Sequence, residues 1–562
     1  MKTPNPLRLN CLVLLIAFVF LFNQSSSAQG FVWVKSYGGS EKDKGKDLGV
    51  DQVGNQYVAG FFRDQMNMGT INLQAVGGPD DEDIFISKMD IDGNPVWGHS
   101  MGNAASQSDD YPFGLSVNSN GFCASTGKCF GYVKLDNGDS LSGFGMEDMW
   151  LVSYDPNGNL NWAKLGGGST NDMGTAVYVD NEQNVYCAGN FNGDMNFFGD
   201  SLITVSQEPN IYCAKYNWSG ELLWVKTFNS ETSVQVYDMT VDQEGNIYLS
   251  GNYRHTVNFG SYEFTSLGDG DGFIVKMTPA GDVLWATSFG STVATSDETG
   301  ATISLDASGN CYVAGTFVGN CQFNGGQITT GNNLKNIMVA AFDVDGNFMW
   351  ANAIKGGPGA KFSPITLSIF AEENIMLTGI FMGIDTVGSI VLQPYTNVDS
   401  SDAFLVSFNP MGDVNWAIHV GGDGHDGGFG ITGNGSAFAF ATGNYRNTAQ
   451  FGSNTLVSNG VSDMWVAKFQ KNTITGNAAV AGTEKFQLFP NPFNNEFTVT
   501  IPKKTRDLTI FNQYGQVVYH RMILSSEKQI SIDFPLPAAG IYTLQLSGEY
   551  GVTMGKIEKQ AY

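Results

Sequence analysis

Five aspartates, Asp43, Asp110, Asp172, Asp297 and Asp426, each follow a Gly-containing stretch and precede a run of strand-forming residues in a chain of 562 residues. Carboxylates that recur once per repeat can act in two ways. Gathered at one mouth of a closed ring, they would present hard oxygen ligands to Ca²⁺ or a similar cation, which is the cofactor such a ring would take. Held within their own repeats, each would cap a turn by accepting nearby backbone N–H groups, and this needs no convergence. Two hairpins, Asp90-Ile91-Asp92-Gly93 and Asp343-Val344-Asp345-Gly346, are also Asp-rich. Neither supplies the later acidic ligand of an EF-hand, so both read as turns. The histidines His99, His255, His419, His425 and His520 show no metalloprotease spacing, and no nucleophile elbow, phosphate loop or dinucleotide fingerprint occurs. No catalytic or cofactor-binding residue can be named on this basis. Groups can still converge from distant repeats, so an enzyme stays open.

The elements that must position these groups are short strands. Trp33, Trp97, Trp162, Trp224, Trp285, Trp350 and Trp416 recur about every 60 to 70 residues, each within a similar phrase. One strand ends at a Gly-Asn turn such as Asp51-Gln52-Val53-Gly54-Asn55 or Asp242-Gln243-Glu244-Gly245-Asn246. A second strand follows, as in Tyr57-Val58-Ala59-Gly60 or Tyr248-Leu249-Ser250-Gly251, then a long variable connection. A third strand begins with Asp or Asn at 83, 148, 210, 271, 336, 402 and 463, and six of these lead through a Gly-centred hairpin into a Trp strand. Those repeated Asp and Asn residues read as structural, because a site seldom recurs in every copy.

The ends of the array complement each other. The Trp33 strand has no third strand before it, and the strand at Asp463 has no Trp strand after it. If these two pair, the array closes into seven four-stranded blades without exposed repeat ends. The expected fold is all-β: a seven-bladed β-propeller followed by a small β-sandwich. The tryptophans are then packing anchors, each burying up to about 150 to 250 Å². The variable connections, such as 63–82 and 254–270, would lie on the face that carries Asp43 and its equivalents, where recognition is usually built. The phrase resembles the SBBP family of β-propeller repeats of secreted bacterial proteins, over about Phe31 to Lys471. That resemblance implies architecture and carries no common chemistry.

Residues 1–28 read as a signal peptide, with Lys2 and Arg8 ahead of the apolar run Cys11 to Phe22 and small residues at Ser26-Ser27-Ala28. No later segment is apolar enough to predict a transmembrane span. A formal net charge of −25 argues against nucleic acid as a partner. Six cysteines follow the leader, Cys123, Cys129, Cys187, Cys213, Cys311 and Cys321. Disulfides or ordinary buried thiols are both open for them.

Composition changes at 472–483, a linker between the propeller at 29–471 and a second all-β unit at 484–562. Its strands alternate through Phe497–Ile501, Leu508–Phe511, Val517–Tyr519, Ile530–Ile532 and Tyr542–Leu546. Pro490, Asn491 and Pro492 near its start, Gly515 in the middle, Gly540 and Tyr542 near its end and Lys556 beyond them resemble the type A sorting domain of the type IX secretion system. That resemblance implies export by way of the periplasm, the type IX secretion machinery as a partner, and arrival at the outer cell surface or in the medium. The reading that follows is a non-enzymatic binding or adhesion module for an extracellular glycan or protein. Its alternatives are a propeller enzyme acting on polysaccharide or peptide, and a structural surface or matrix component.

Overall fold

Four-residue phrases of alternating polarity and Gly-centred turns leave the chain little choice but short antiparallel strands. The computed structural model describes residues 30–470 apart from 77, 79, 104–109, 198–200, 204–208, 231, 294–297, 332–333, 357–360, 370–373, 389, 396–399 and 436–437. Beyond 470 it describes 488–489, 496–501, 505–511, 517–523, 527–533, 540–548 and 551–559. The leader and the linker lie outside these residues, as do Pro490, Asn491, Pro492 and Gly515. Two compact units are formed, Met1–Thr473 and Ile474–Tyr562.

In the first unit the described strands pair in seven antiparallel runs of four, several of them joined by short hairpins into larger sheets. One runs outward from Asp43–Val50 through Gln56–Phe62 and Asp83–Met89 to Pro95–Gly102. The innermost strands of the next six are Tyr111–Val117, Met173–Val179, Ser233–Val241, Thr299–Leu305, Lys361–Ile369 and Gly427–Thr432. In the last blade the outermost strand comes from the other end of the chain. Phe31–Tyr37 lies antiparallel to Asp463–Gln470, with Trp33 opposite Lys468 and Tyr37 opposite Met464. Each innermost strand neighbours the next, and Gly427–Thr432 neighbours Asp43–Val50, so the cycle closes.

The turn chemistry repeats on the face where innermost strands end. Asp155 Oδ1 accepts the N–H groups of Asn157 at 2.8 Å and Asn159 at 2.9 Å, while Asn159 Nδ2 donates to Asp155 Oδ2. Asp51, Asp90, Asp180, Asp242, Asp306 and Asp343 make the same clasp with an Asn four residues on. The Asp90 and Asp343 hairpins are therefore turns whose carboxylates are already engaged.

Each hairpin between a third and a fourth strand then receives a tryptophan from the preceding blade. Indole N–H groups donate to Pro156 O from Trp97, to Pro279 O from Trp224, to Val344 O from Trp285 and to Pro410 O from Trp350, at 2.8 to 3.3 Å. The hairpin Gly sits under the ring. A Cβ on Gly158 would lie 2.9 Å from Trp97 Cγ, and Gly158 has φ of +88°, so glycine is required there on two grounds. Trp33 lies in the same way over Gly93 and latches the closing strand to the first full blade.

The long connections hold short strands of their own. Five carry a short hairpin, such as Gln65–Met68 with Ile71–Gln74 and Asn320–Phe323 with Gly326–Thr329, while Cys123–Leu135 and Ile247–Phe259 simply extend the blade strands. Met66, Met68, Cys321 and Phe323 are buried by these hairpins. Several pair with the previous blade's outer strand, as Gly168 does with Met195 and Gly422 with Ala449. Alternation too short to read as strand thus becomes a second seam between blades.

All six described cysteines are free and buried. Cys187 stands opposite Ala214 and Cys213 opposite Ala188, one register step apart, so their side chains leave opposite faces and enter different apolar clusters.

In the second unit a three-stranded sheet holds Leu488–Phe489, Glu496–Thr500 and Gln529–Asp533. A four-stranded sheet holds Val517–Met522, Thr505–Phe511, Gly540–Gly548 and Gly551–Lys559. Phe497 and Val499 of the first pack with Leu508, Ile510, Tyr542 and Leu544 of the second in one core, which makes a sandwich. Gly540 opens its strand opposite Lys559, and Lys556 stands opposite Thr543 in a last strand that the sequence reading omitted.

Candidate functional site

Of the five repeated aspartates, four are described, and each accepts hydrogen bonds inside its own blade junction, although Asp43 Oδ1 is buried without a partner. Asp43 Oδ2 accepts the Gly39 N–H at 2.7 Å, and Asp172 accepts from Gly168 at 2.6 Å and Asn192 at 3.1 Å. Asp426 accepts from Gly422 at 2.6 Å and Arg446 at 2.8 Å, and Asp110 from Phe130 at 3.1 Å and the Asn103 amide. Asp297 lies outside the described residues. Its expected place is held by Glu298, whose carboxylate accepts from Ser291 and Val318, both at 3.2 Å, and whose N–H donates to Gly270 O as Asp172 does to Glu147 O. The step of one residue arises because position relative to the innermost strand, not side-chain type, decides which carboxylate caps.

Each cap lies beside the third-strand aspartate of the preceding blade. Burial, then Asp463, raises Asp43 to about 8, and burial lifts Asp172 and Asp426 to about 7 with Asp148 and Asp402 as acidic neighbours. Burial also raises Asp110, with Asp83 and Asp81 adding to it. The glycines that recur four to six residues after most of the Trp residues follow from this crowding. Asp148 packs directly over Gly167, Asp83 over Gly102 and Asp402 over Gly421, leaving no room for a Cβ. Among the described residues, no three His, Cys, Asp or Glu side chains gather as a metal-holding group.

The position that varies is elsewhere. Every innermost strand carries a one-residue bulge at the same place, between Gly45 and Asp47, Pro112 and Gly114, Gly174 and Ala176, Val236 and Asp238, Gly300 and Thr302, Pro364 and Thr366, and Gly428 and Gly430. A bulge re-aims one side chain out of the strand's alternation. Here the extra residues are Lys46, Phe113, Thr175, Tyr237, Ala301, Ile365 and Phe429, and all seven line an axial cavity of about 610 Å³. That volume is within the range of small-molecule sites, roughly 300 to 1,000 Å³.

The residues after the bulges tie blade to blade. Asp47 accepts N–H groups from Leu48 at 2.8 Å and from Leu115 of the next blade at 2.7 Å. Asp238 accepts from Met239 at 2.7 Å and, in the next blade, from the Thr302 hydroxyl and Ile303 N–H, both at 2.9 Å. Thr302 in turn accepts from Leu367, and Thr366 donates to Phe429 O. Where Gly430 meets Leu48 the backbones approach so closely that a Cβ would lie 2.9 Å from Leu48 N. Burial raises Asp47 to about 7 and Asp238 to about 6, although these hydrogen bonds oppose the shift.

Two lysines meet on one side of the ring, and the exposed Lys335 lines the cavity from another blade. Lys46 Nζ stands 4.8 Å and Lys44 Nζ 5.1 Å from the centroid of the Phe429 ring. Burial, then Lys44, pushes Lys46 down to about 8. The sequence reading missed this ring altogether. Its one available signal was that Lys46, Phe113, Tyr237 and Phe429 interrupt strands otherwise rich in small or aliphatic residues.

Residues 487–560 match the family described as the secretion system C-terminal sorting domain. A tail of this kind marks the chain as an exported protein of the outer surface or extracellular space, with the type IX secretion machinery as a partner. Among the described residues no helix is long and apolar enough to cross a membrane. An uncharacterised WD repeat-containing protein of Acanthamoeba polyphaga mimivirus is 24% identical over 486 residues, 70% of this chain. The chain spans 34% of that relative's length. Similar solved structures include PorZ, an essential bacterial surface component of the type-IX secretion system of Porphyromonas gingivalis, at 9% identity and TM-score 0.16, covering 94% of this chain and 100% of that one. A leech intramolecular trans-sialidase is similar at 10% identity and TM-score 0.32, covering 72% of this chain and 65% of its own.

Proposed function

We propose that this chain is an exported, non-enzymatic binding module: an SBBP-type propeller at 29–471 that holds a small extracellular ligand in its axial cavity, delivered by a sorting domain at 484–562 after removal of the 1–28 leader. The observation that carries the reading is the bulge ring, where one equivalent position per blade holds seven side chains of unlike chemistry around a ligand-sized cavity. Asp47 and Asp238 support binding over hydrolysis, because the hydrogen bonds each already accepts hold it as a strut between blades rather than a free acid or base. The junction carboxylates act as caps in this reading, with Ca²⁺ the ligand that calorimetry on the full chain would reveal if they did more.

The test fills the cavity. Ala301 lines it with a minimal side chain, so Ala301→Trp should abolish capture of ligands on a glycan array or peptide library while leaving the circular dichroism spectrum unchanged. Undiminished capture by that variant would contradict the axial site. Deleting 484–562 should leave the propeller in the periplasm, and normal surface delivery of the truncated chain would contradict the sorting assignment.

A further inference from the structure

In a chain of net charge −25, the axial cavity places a lysine between two aromatic rings. Going round the ring, the bulge residues of three successive blades are Phe429, Lys46 and Phe113. Lys46 lines the cavity, and among the described residues neither it nor Lys44 forms an ion pair. The nearby acids are otherwise engaged. Glu82 pairs with Arg63 at 2.7 Å and with Lys42 at 3.5 Å, and Asp47 is bonded to backbone N–H groups on both oxygens.

A half-buried cation without a counter-charge costs stability, and stacking on one phenyl ring offsets only part of that cost. An anionic group bound at Lys46 would supply what is lacking. Phe113 offers an aromatic face beside it, more than a third exposed, whereas Phe429 is buried beneath the lysines. The opposite wall is polar, with Thr175, Asn190, Gln235 and Tyr237 hydrogen-bonded to protein groups and the exposed Lys335 also lining the cavity. Charge on one side, an aromatic platform beside it and hydrogen-bonding groups across from it suit a ligand that is anionic, flat-faced and hydroxylated.

Resting on the axial-site reading, we infer that the cavity binds an acidic saccharide of one or two residues, its carboxylate or sulfate at Lys46 with Lys44 behind, and a sugar face on Phe113. A longer polymer would have to enter by its end, since a cavity of about 610 Å³ holds little more than a disaccharide. Lysine meets an anion as a compact point charge, which suits carboxylate and sulfate alike.

Calorimetric titration of the full chain tests this with a uronate-containing disaccharide, a sulfated disaccharide, their neutral counterpart and inorganic sulfate alone. One or both acidic disaccharides should bind, telling carboxylate from sulfate as the source, with the neutral sugar at least about tenfold weaker and sulfate giving no saturable heat. Lys46→Gln should weaken acidic-sugar binding about tenfold or more, Lys46→Arg should restore most of it, and Phe113→Leu should weaken acidic and neutral sugars together. Equal affinity for acidic and neutral sugars, or Lys46→Gln binding like the native chain, overturns the inference. If sugars bind regardless of charge and Ala301→Trp blocks them, the acidic class fails and the axial site stands. If neither acidic sugar binds, the inference fails outright. If Lys46→Gln lowers the melting temperature alone, the lysine is a staple between the blades that carry Phe429 and Asp43, and the inference fails.

Discussion

The far-face hairpins and the bulge ring occupy equivalent places from blade to blade, yet they treat repetition in opposite ways. At the hairpins a side-chain oxygen clasping the N–H four residues on, a left-handed Gly and an incoming indole recur with little change, because each junction must solve the same packing problem. At the bulges the backbone recurs and the side chain does not, from Lys46 to Phe113 to Ala301. Repeated chemistry accounts for the fold, and departures from it mark the place where a ligand can be told from water.

Breaking the repeated side of this comparison should harm stability and spare recognition. Trp97→Ala removes a buried ring and its bond to Pro156 O, and denaturant unfolding should show a loss of about 3 to 5 kcal/mol. Ligand affinity at a temperature where the variant is folded should not change.

The junction acids give a pH signature. Asp43, Asp172, Asp426, Asp402 and Asp271 are all raised by burial from an ordinary value of 3.8, to about 8, 7, 7, 6 and 6. The folded chain therefore holds more protons than the unfolded one between these limits, and stability must fall as pH rises from about 4 to about 8. Thermal unfolding should show a higher melting temperature at pH 5 than at pH 8. A higher value at pH 8 would mean that these carboxyls ionise in the fold without cost.

Ligand binding should have its own, smaller pH effect if the ring carries it. Asp47, raised to about 7, gains negative charge as pH rises, and Lys46, lowered to about 8, loses its positive charge, while Lys44 and Arg446 stay nearby and Glu82 remains paired with Arg63. Both changes oppose an anion, so acidic-sugar affinity should drop between pH 6 and pH 9, which titration at the two limits would measure. Smallest of all, Asp155→Ala releases a single exposed clasp and should cost about 0.5 to 1 kcal/mol with no effect on binding.

The hairpins were legible because their signals are short-range. Asp, Gly and Asn at fixed spacing specify a turn without reference to the rest of the chain, and Trp33 and Asp463 identify themselves as ends by what they lack. The bulge ring was not legible for the converse reason. A bulge adds one residue to a period-two pattern, so Lys46 between Gly45 and Asp47 reads as noise until the register with Gly60 and Ala59 is seen. Asp297 lies outside the described residues, and the carboxylate seen capping that junction is Glu298. The connecting strands were not legible because Gln65–Met68 is too short for its alternation to register, although Met66 and Met68 are wholly buried.

Where a bound ligand lies would test the central claim most directly. A structure of the full chain soaked with an acidic disaccharide should show the sugar inside the ring, against Phe113 and within reach of Lys46. Density on the connections at 63–82 or 254–270, with the axial cavity holding only water, would contradict the account.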